Sequence, residues 1–257
     1  MAKYFTVFLT SVLLFFSADI LQGYEIVEIK NGGATLKGTI TFKGELPTDE
    51  SIVIDRDIEY CGKEQKLGKY LILNSRVKNV VVWIDNIDKG KAVSEKAVKI
   101  TLKKCKAEPL VSVGSVGGKY LFTNKDDILH TVQLKLGLKY QKKVSGRPLE
   151  YGATIYNLAM PVKNLQIEKP IKKYHKYTEE TGFIQVTSNT HNWIRGYIFI
   201  FDHPYAAVTD DKGAFTIDTI PPGKYIIKTW HEGFGVKEKE INISTGGVME
   251  VEIEYSN

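Results

Sequence analysis

Short runs of alternating apolar and polar residues fill most of the chain, separated by clusters of Gly, Pro, Asp and Thr. In LKGTITFKGELP (36–47), Ile40 and Phe42 alternate with Thr39, Thr41 and Lys43 before Gly44 and Pro47 end the run, which predicts a half-buried strand. NVVVWIDN (79–86) is an unbroken apolar run of strand length and predicts a strand buried on both faces. KAVKITLKKC, GGKYLFTN, HTVQLKL, FIQVTS, GYIFIFD, AFTIDTI, KYIIKTW and VMEVEIEY read as further strands. Between the last of these lie TDDKGA, IPPGK and STGG. Gly213 is expected to take a positive φ, with Asp210 or Asp211 bonding the turn backbone. Pro221 and Pro222 stop a strand because proline cannot donate to a ladder, and Gly223 is expected to permit the reversal. EKPIKKYHKYTEE (168–180), with Pro170 and many charges, is expected to be an exposed loop. Many short strands joined by polar turns predict an all-β protein of sandwich type.

Composition agrees: the 257 residues are 43% hydrophobic and 25% charged, which are globular values. The formal charge of +5 is modest. Lysines concentrate in the middle of the chain, where a solvated face is the simplest reading and an acidic partner or membrane surface the alternative. No nucleic-acid motif accompanies them, so no nucleic-acid partner is expected. After Lys3 the run YFTVFLTSVLLFFSA suits the core of a signal peptide, assigned to residues 1–23, and is short for a transmembrane helix. The expected destination is periplasmic or secreted, with no stable membrane span after signal removal. In such a compartment Cys61 and Cys105, the only cysteines, most simply form a disulfide closing a loop of about 45 residues. The competing reading, a pair of thiolate ligands, lacks the Cys-x-x-Cys or Cys-x-x-His spacing.

Two resemblances follow from these motifs. The segment from Glu108 to Phe201, containing VSVGSVGGKYLFTNKDDILHTVQL and GFIQVTSNTHNWIRGYIFI, resembles a cupredoxin: an apolar strand, an Asn-x-Asp loop ending in His, and a late ligand loop. LKGTITFKGELP together with HPYAAVTDDKGAFTIDTIPPGKYIIKTWHEGFG is similar to the carboxypeptidase regulatory-like sandwich. NLAMP (157–161) and WHEGFG (230–235) fit exported bacterial proteins that combine the two. The resemblance implies a cupredoxin-like Greek-key β-sandwich plus a carboxypeptidase regulatory-like (transthyretin-like) β-sandwich. The expected division is 24–105 as an N-terminal β-region open to pairing with the C-terminal module, 106–201 as the cupredoxin-like domain, and 202–257 as the regulatory-like β-region.

A blue-copper site needs two imidazoles and a thiolate, usually with a weak axial thioether. The resemblance offers His130 and His191 as the imidazoles. It places Ser188 where the thiolate belongs and Ile194 where the thioether belongs. Asp126, Asp127 and Glu232 are candidate substitute ligands by sequence proximity alone, and His231 is a candidate third imidazole if the modules meet at their loop ends. With the thiolate missing, the leading expectation is no metal cofactor, and the alternative is non-blue copper or zinc. His175 and His203 read as surface-loop residues, and Trp193 as a packing residue over the loop. No nucleophile elbow, phosphate loop, His-Glu-x-x-His or dinucleotide fingerprint is present, so no enzyme is expected. The chain reads as a non-enzymatic binding or interaction protein with an unknown protein or surface partner. The alternatives are a copper-binding or electron-transfer protein using His130 and His191, and a carbohydrate-binding module with exposed Trp and Tyr.

Overall fold

A computed structural model describes residues 23–29, 33–137, 143–144, 147–148, 154–172 and 183–256; the signal-peptide core and His175 lie outside them. Among the described residues the one helix is the single turn Ile58–Cys61, and the other elements are strands. The protein is all-β, built as two β-sandwiches. In the central sandwich, one sheet runs Lys106–Glu108, Val98–Lys103, Lys119–Asn124, Gln166–Pro170. The other runs Val111–Ser115, Arg195–Phe201, Phe183–Thr187, His130–Gly137, Thr154–Met160. Two of its pairings are parallel, Val98–Lys103 with Lys119–Asn124 and Val111–Ser115 with Arg195–Phe201.

The second sandwich is composite, made from both ends of the described chain. Ala34–Lys43 pairs in parallel with Val248–Ser256, from Thr35 opposite Val248 to Lys43 opposite Ser256, and antiparallel with Ala214–Ile220. Its facing sheet runs Ala206–Val208, Val81–Ile84, Gly223–His231, Gly235–Ile243. Alternation in Val248–Ser256 turns Val251, Ile253 and Tyr255 into this core, which Leu36, Ile40 and Phe42 enter from the paired strand.

The strand Val81–Ile84 is buried at every position, as its unbroken apolar run predicts. Its neighbour Val80, with Val82 and Ile84, belongs to the composite core; Val81 and Trp83 belong to a second apolar cluster with Val111, Phe199 and Trp230. Arg195–Phe201 divides likewise, with Ile198 in the central core and Phe199 in the shared cluster. The sandwiches therefore meet through sheet faces that alternation makes apolar on both sides. Trp230 sits at the middle of the junction, its ring 4.9 Å from Phe199 and 5.2 Å from Tyr197. Arg195 pairs with Glu232 across the same junction.

Cys61 and Cys105 form a disulfide, Cα atoms 5.5 Å apart, that ties the helical turn to the turn after Val98–Lys103. In the TDDKGA turn Gly213 has φ 66, and a Cβ there would meet the Ile40 carbonyl oxygen at 2.6 Å. Asp210 Oδ1 accepts the N–H groups of Lys212 and Ala214 at 2.8 and 2.9 Å, so Asp210 is the bonding acid. Near the Pro-Pro-Gly reversal the positive φ falls on Thr219, at 56, and a Cβ at Gly223 would come within 3.0 Å of the Tyr225 hydroxyl. One local expectation is corrected. Residues 166–170, which overlap the expected exposed loop, form an edge strand against Lys119–Thr123, with Pro170 at its end where no ladder donor is needed.

Truncating Trp230 to Ala removes the centre of the junction and is expected to cost about 3–5 kcal/mol in urea unfolding. A loss under about 1 kcal/mol would mean that the junction is not a packed core.

Candidate functional site

The site begins with a strained turn. Lys104 and Cys105 have φ 50 and 56, a conformation that two-residue hairpins usually give to Asn-Gly. Asp126 holds it: its Oδ1 accepts the Lys104 N–H at 2.7 Å and its Oδ2 the Cys105 N–H at 2.8 Å. Asp126 is itself placed by Asn124, whose Oδ1 accepts the Asp126 N–H and whose amide donates to the carbonyls of Ile128 and Met160. The loop NKDDILH thus folds around Asn124 and delivers His130 to the start of the next strand.

His130 and His191 are both 0% exposed, and their Nδ1 atoms are 2.9 Å apart. The outer nitrogens face carboxylates, His130 Nε2 at 2.9 Å from Asp126 Oδ2 and His191 Nε2 at 2.7 Å from Asp57 Oδ2. Asp57 starts the helical turn with φ 51 and makes no side-chain cap; its carboxylate, 43% exposed, is the solvent end of the chain. The order is therefore Asp57, His191, His130, Asp126. Its three contacts need three protons, whereas two neutral imidazoles carry two. The ring tautomers decide which of the contacts carry the two ring protons. Burial pushes the Asp126 carboxyl up, but the Cys105 amide, the His130 ring and the Lys104 amide outweigh it and hold it below the usual carboxylate range. Burial, only partly offset by Asp126, holds His130 below the ordinary imidazole value.

Ser188 does not point a free donor at this pair. Its Oγ accepts the His191 N–H at 3.2 Å and bonds the hydroxyls of Thr131 and Thr190 at 3.0 and 3.1 Å. Ile194 is buried in the central core, and its N–H donates to the His191 carbonyl at 2.9 Å. Trp193 packs against the His191 ring at 5.0 Å and donates its indole N–H to the Cys105 carbonyl at 3.1 Å. Cys105, Asp126 and His130 each place a ligand atom within 4.8 Å of the others, all buried. The Cys105 sulfur is spent in the disulfide, however, and a disulfide sulfur is not the thiolate that metals select. The donor set does not fit a blue-copper centre.

The other candidates lie apart from the pair. His231 stacks on Phe234 and lies beside Tyr70 and Tyr255, in the composite sandwich. Glu232 is taken by Arg195 and by the Tyr197 hydroxyl, which donates at 2.8 Å. The Asp127 N–H donates to the Tyr60 hydroxyl oxygen at 3.2 Å, and its carboxyl is not part of the chain. His203 is no surface residue: it is 9% exposed, between Tyr24, Phe201 and Tyr205. Asp57, Thr131 and Thr190 were not singled out by sequence reasoning; Asp57 is 134 residues from His191 and no motif links them.

Residues 178–251 match the family model described as polysaccharide lyase family 4, domain II; the described part of that stretch runs from Phe183 in the central sandwich into the composite one. No curated protein sequence matches the chain. Among solved structures, the chain is similar to amicyanin from Paracoccus versutus at 15% identity, over 42% of this chain and 85% of that one, with a TM-score of 0.28. A purple cupredoxin from Nitrosopumilus maritimus is similar at 16% identity over 40% of this chain and 99% of its own, with a TM-score of 0.26. The copper-containing nitrite reductase from Thermus scotoductus SA-01 is similar at 16% identity over 44% of this chain, with a TM-score of 0.29; this chain spans 24% of that enzyme's length. What those proteins bind is theirs, and the chemistry of this chain rests on its own residues.

Burial pulls His203 and His231 down to about 4. Their folded values lie below the unfolded one, so each contributes stability that is complete above pH ~6.5 and lost as the pH falls toward ~4, up to about 3 kcal/mol apiece. Urea unfolding between neutral and acid pH should therefore show falling stability, with a shallower fall in His203→Gln and in His231→Gln. An unchanged slope in both variants would contradict the assignment.

Proposed function

We propose that this chain is an extracytoplasmic, non-enzymatic binding protein in which a cupredoxin-like sandwich has kept two histidines and replaced copper by a buried hydrogen-bond chain. The observation that carries this reading is the fate of the donors. The hydroxyl at position 188 is consumed by Thr131, Thr190 and the His191 amide, both sulfurs are joined, and the two Nδ1 atoms face each other at hydrogen-bond distance. The leaving behind of electron transfer follows from the loss of the thiolate, whose covalency with copper tunes such sites. The composite sandwich is read as the regulatory-like module on its Asp-Asp-Lys-Gly and Pro-Pro-Gly turns, and as a folding or interaction unit. Export rests on the N-terminal apolar run; among the described residues no helix is long and apolar enough to cross a membrane. A sugar-binding module gains no support from the tryptophans, since Trp83, Trp193 and Trp230 are all buried.

One observation favours a second reading, a non-blue copper or zinc site. Both Nδ1 atoms converge while both Nε2 atoms are oriented by carboxylates, the arrangement that second-shell partners give to metal-bound histidines. Copper and zinc titration of the purified mature protein separates the two. The leading reading predicts no stoichiometric, tight binding. Tight binding of one ion per chain that is lost in His130→Gln and in His191→Gln would replace it with the second. The double variant Ser188→Cys, Ile194→Met is expected to restore a copper-dependent visible charge-transfer band, because it returns thiolate and thioether to a loop that still presents both imidazoles. Absence of that band in a folded double variant would count against a cupredoxin ancestry for the loop.

A further inference from the structure

Where the two sandwiches meet the hairpin of Ser51–Val53 and Glu64–Lys66 there is an open cleft of about 1000 Å³. This is the upper end of the size range of small-molecule sites, which favour such junctions. Its lining includes the apolar side chains of Ile52, Leu71, Pro109 and Leu110, with Trp193 and Ile194 from the histidine loop. The lining is also basic. Lys78 and Arg195 are engaged by Asp211 and Glu232, but Lys66, Lys103, Lys106 and Lys125 have no carboxylate partner among the described residues. Of the two lining acids, Asp49 is occupied by the backbone N–H groups of Gly68 and Lys69 at 2.9 and 2.8 Å, which leaves Glu108.

The register sharpens the imbalance. Lys103 and Lys106 stand directly opposite each other across an antiparallel pair, where like charges are destabilising. Asp126 holds the turn between them in a strained conformation and the disulfide anchors that turn to the hairpin carrying Lys66, so the lysine pair is held together. A cationic pair on a fixed backbone turn beside apolar lining is complementary to a ligand that is anionic at one end and apolar along its body.

We propose that the cleft binds an amphiphilic organic anion, its carboxylate, sulfate or phosphate head between Lys103 and Lys106 and its apolar body on Ile52, Leu71, Pro109 and Leu110. A sugar would want an exposed aromatic platform, and Trp193, the sole aromatic among the described lining residues, is 4% exposed. The inference rests on the reading of the chain as a binding protein but not on the state of the histidine pair, so copper or zinc at that pair leaves it standing.

The test is fluorescence titration of the mature protein with anilinonaphthalene sulfonate, an apolar anion, followed by displacement. Saturable binding at a single site, displaced by dodecanoate or dodecyl phosphate and not by dodecanol or dodecylammonium, is expected. Lys103→Glu turns the repulsive pair into an ion pair, so it should raise the thermal midpoint while weakening the probe about tenfold or more, roughly the worth of one well-placed charge. Lys224→Glu, on the exposed Pro-Pro-Gly turn outside the cleft, should leave the affinity unchanged. Equal displacement by dodecanol, unaltered affinity in Lys103→Glu, or absence of saturable binding would overturn the proposal. Binding to phosphatidylglycerol vesicles without binding of monomeric dodecanoate would also overturn it, in favour of a membrane-surface contact.

Discussion

Val81–Ile84 has no face left for water, and the arrangement of the whole molecule follows from that. One set of side chains enters the composite core and the other enters the cluster shared with the central sandwich. A strand buried on both faces must sit between two layers, so the central sandwich has to present an apolar outer face to it. Arg195–Phe201 does this through Tyr197, Phe199 and Phe201, in the same strand whose other residues close the central core. The histidine loop immediately precedes that strand. Its position, the Arg195–Glu232 pair and the lysine-lined cleft are all consequences of how the two sandwiches are pressed together.

Within the central sandwich the equivalent organising group is Asp126. A single carboxylate holds a strained turn by two amides, and through that turn the disulfide; the same oxygen that accepts the Cys105 amide also accepts His130. His130 then holds His191, and His191 reaches Asp57 at the surface. Buried polar groups are costly unless every contact is satisfied, and here each ring nitrogen has a partner. That every ring nitrogen of the pair has a protein partner is the observation on which the proposed replacement rests. The same convergence of nitrogens keeps the alternative of a metal in competition with the shared proton for identical lone pairs.

Much of this was legible in the chain because alternation is a local signal. The runs around Ile40, Leu102, Val132 and Ile253 became strands with those residues inside, and NVVVWIDN announced a doubly buried strand. Gly213 and the acids before it marked their turn, and the cupredoxin resemblance singled out His130 and His191, which the structure brings together. What was not legible depends on partners far away in sequence. Asp57 meets His191 across 134 residues, with no motif to link them. His203 looked exposed in FDHPY because its aromatic neighbour Tyr24 comes from the other end of the chain. Residues 168–170 looked like part of a loop because an edge strand tolerates charges and a terminal proline that a central strand would not. Glu232 looked like a spare ligand until the junction gave it Arg195.

The proton arrangement of the buried chain decides the matter most directly. Histidine-selective nitrogen-15 NMR of the mature protein, as purified at neutral pH, reports the state of each ring nitrogen. The account predicts one downfield proton between the two Nδ1 atoms, coupled to both, and no metal-shifted ring nitrogen. Nδ1 signals characteristic of metal-bound imidazole, or two Nδ1 atoms with no proton between them, would contradict it.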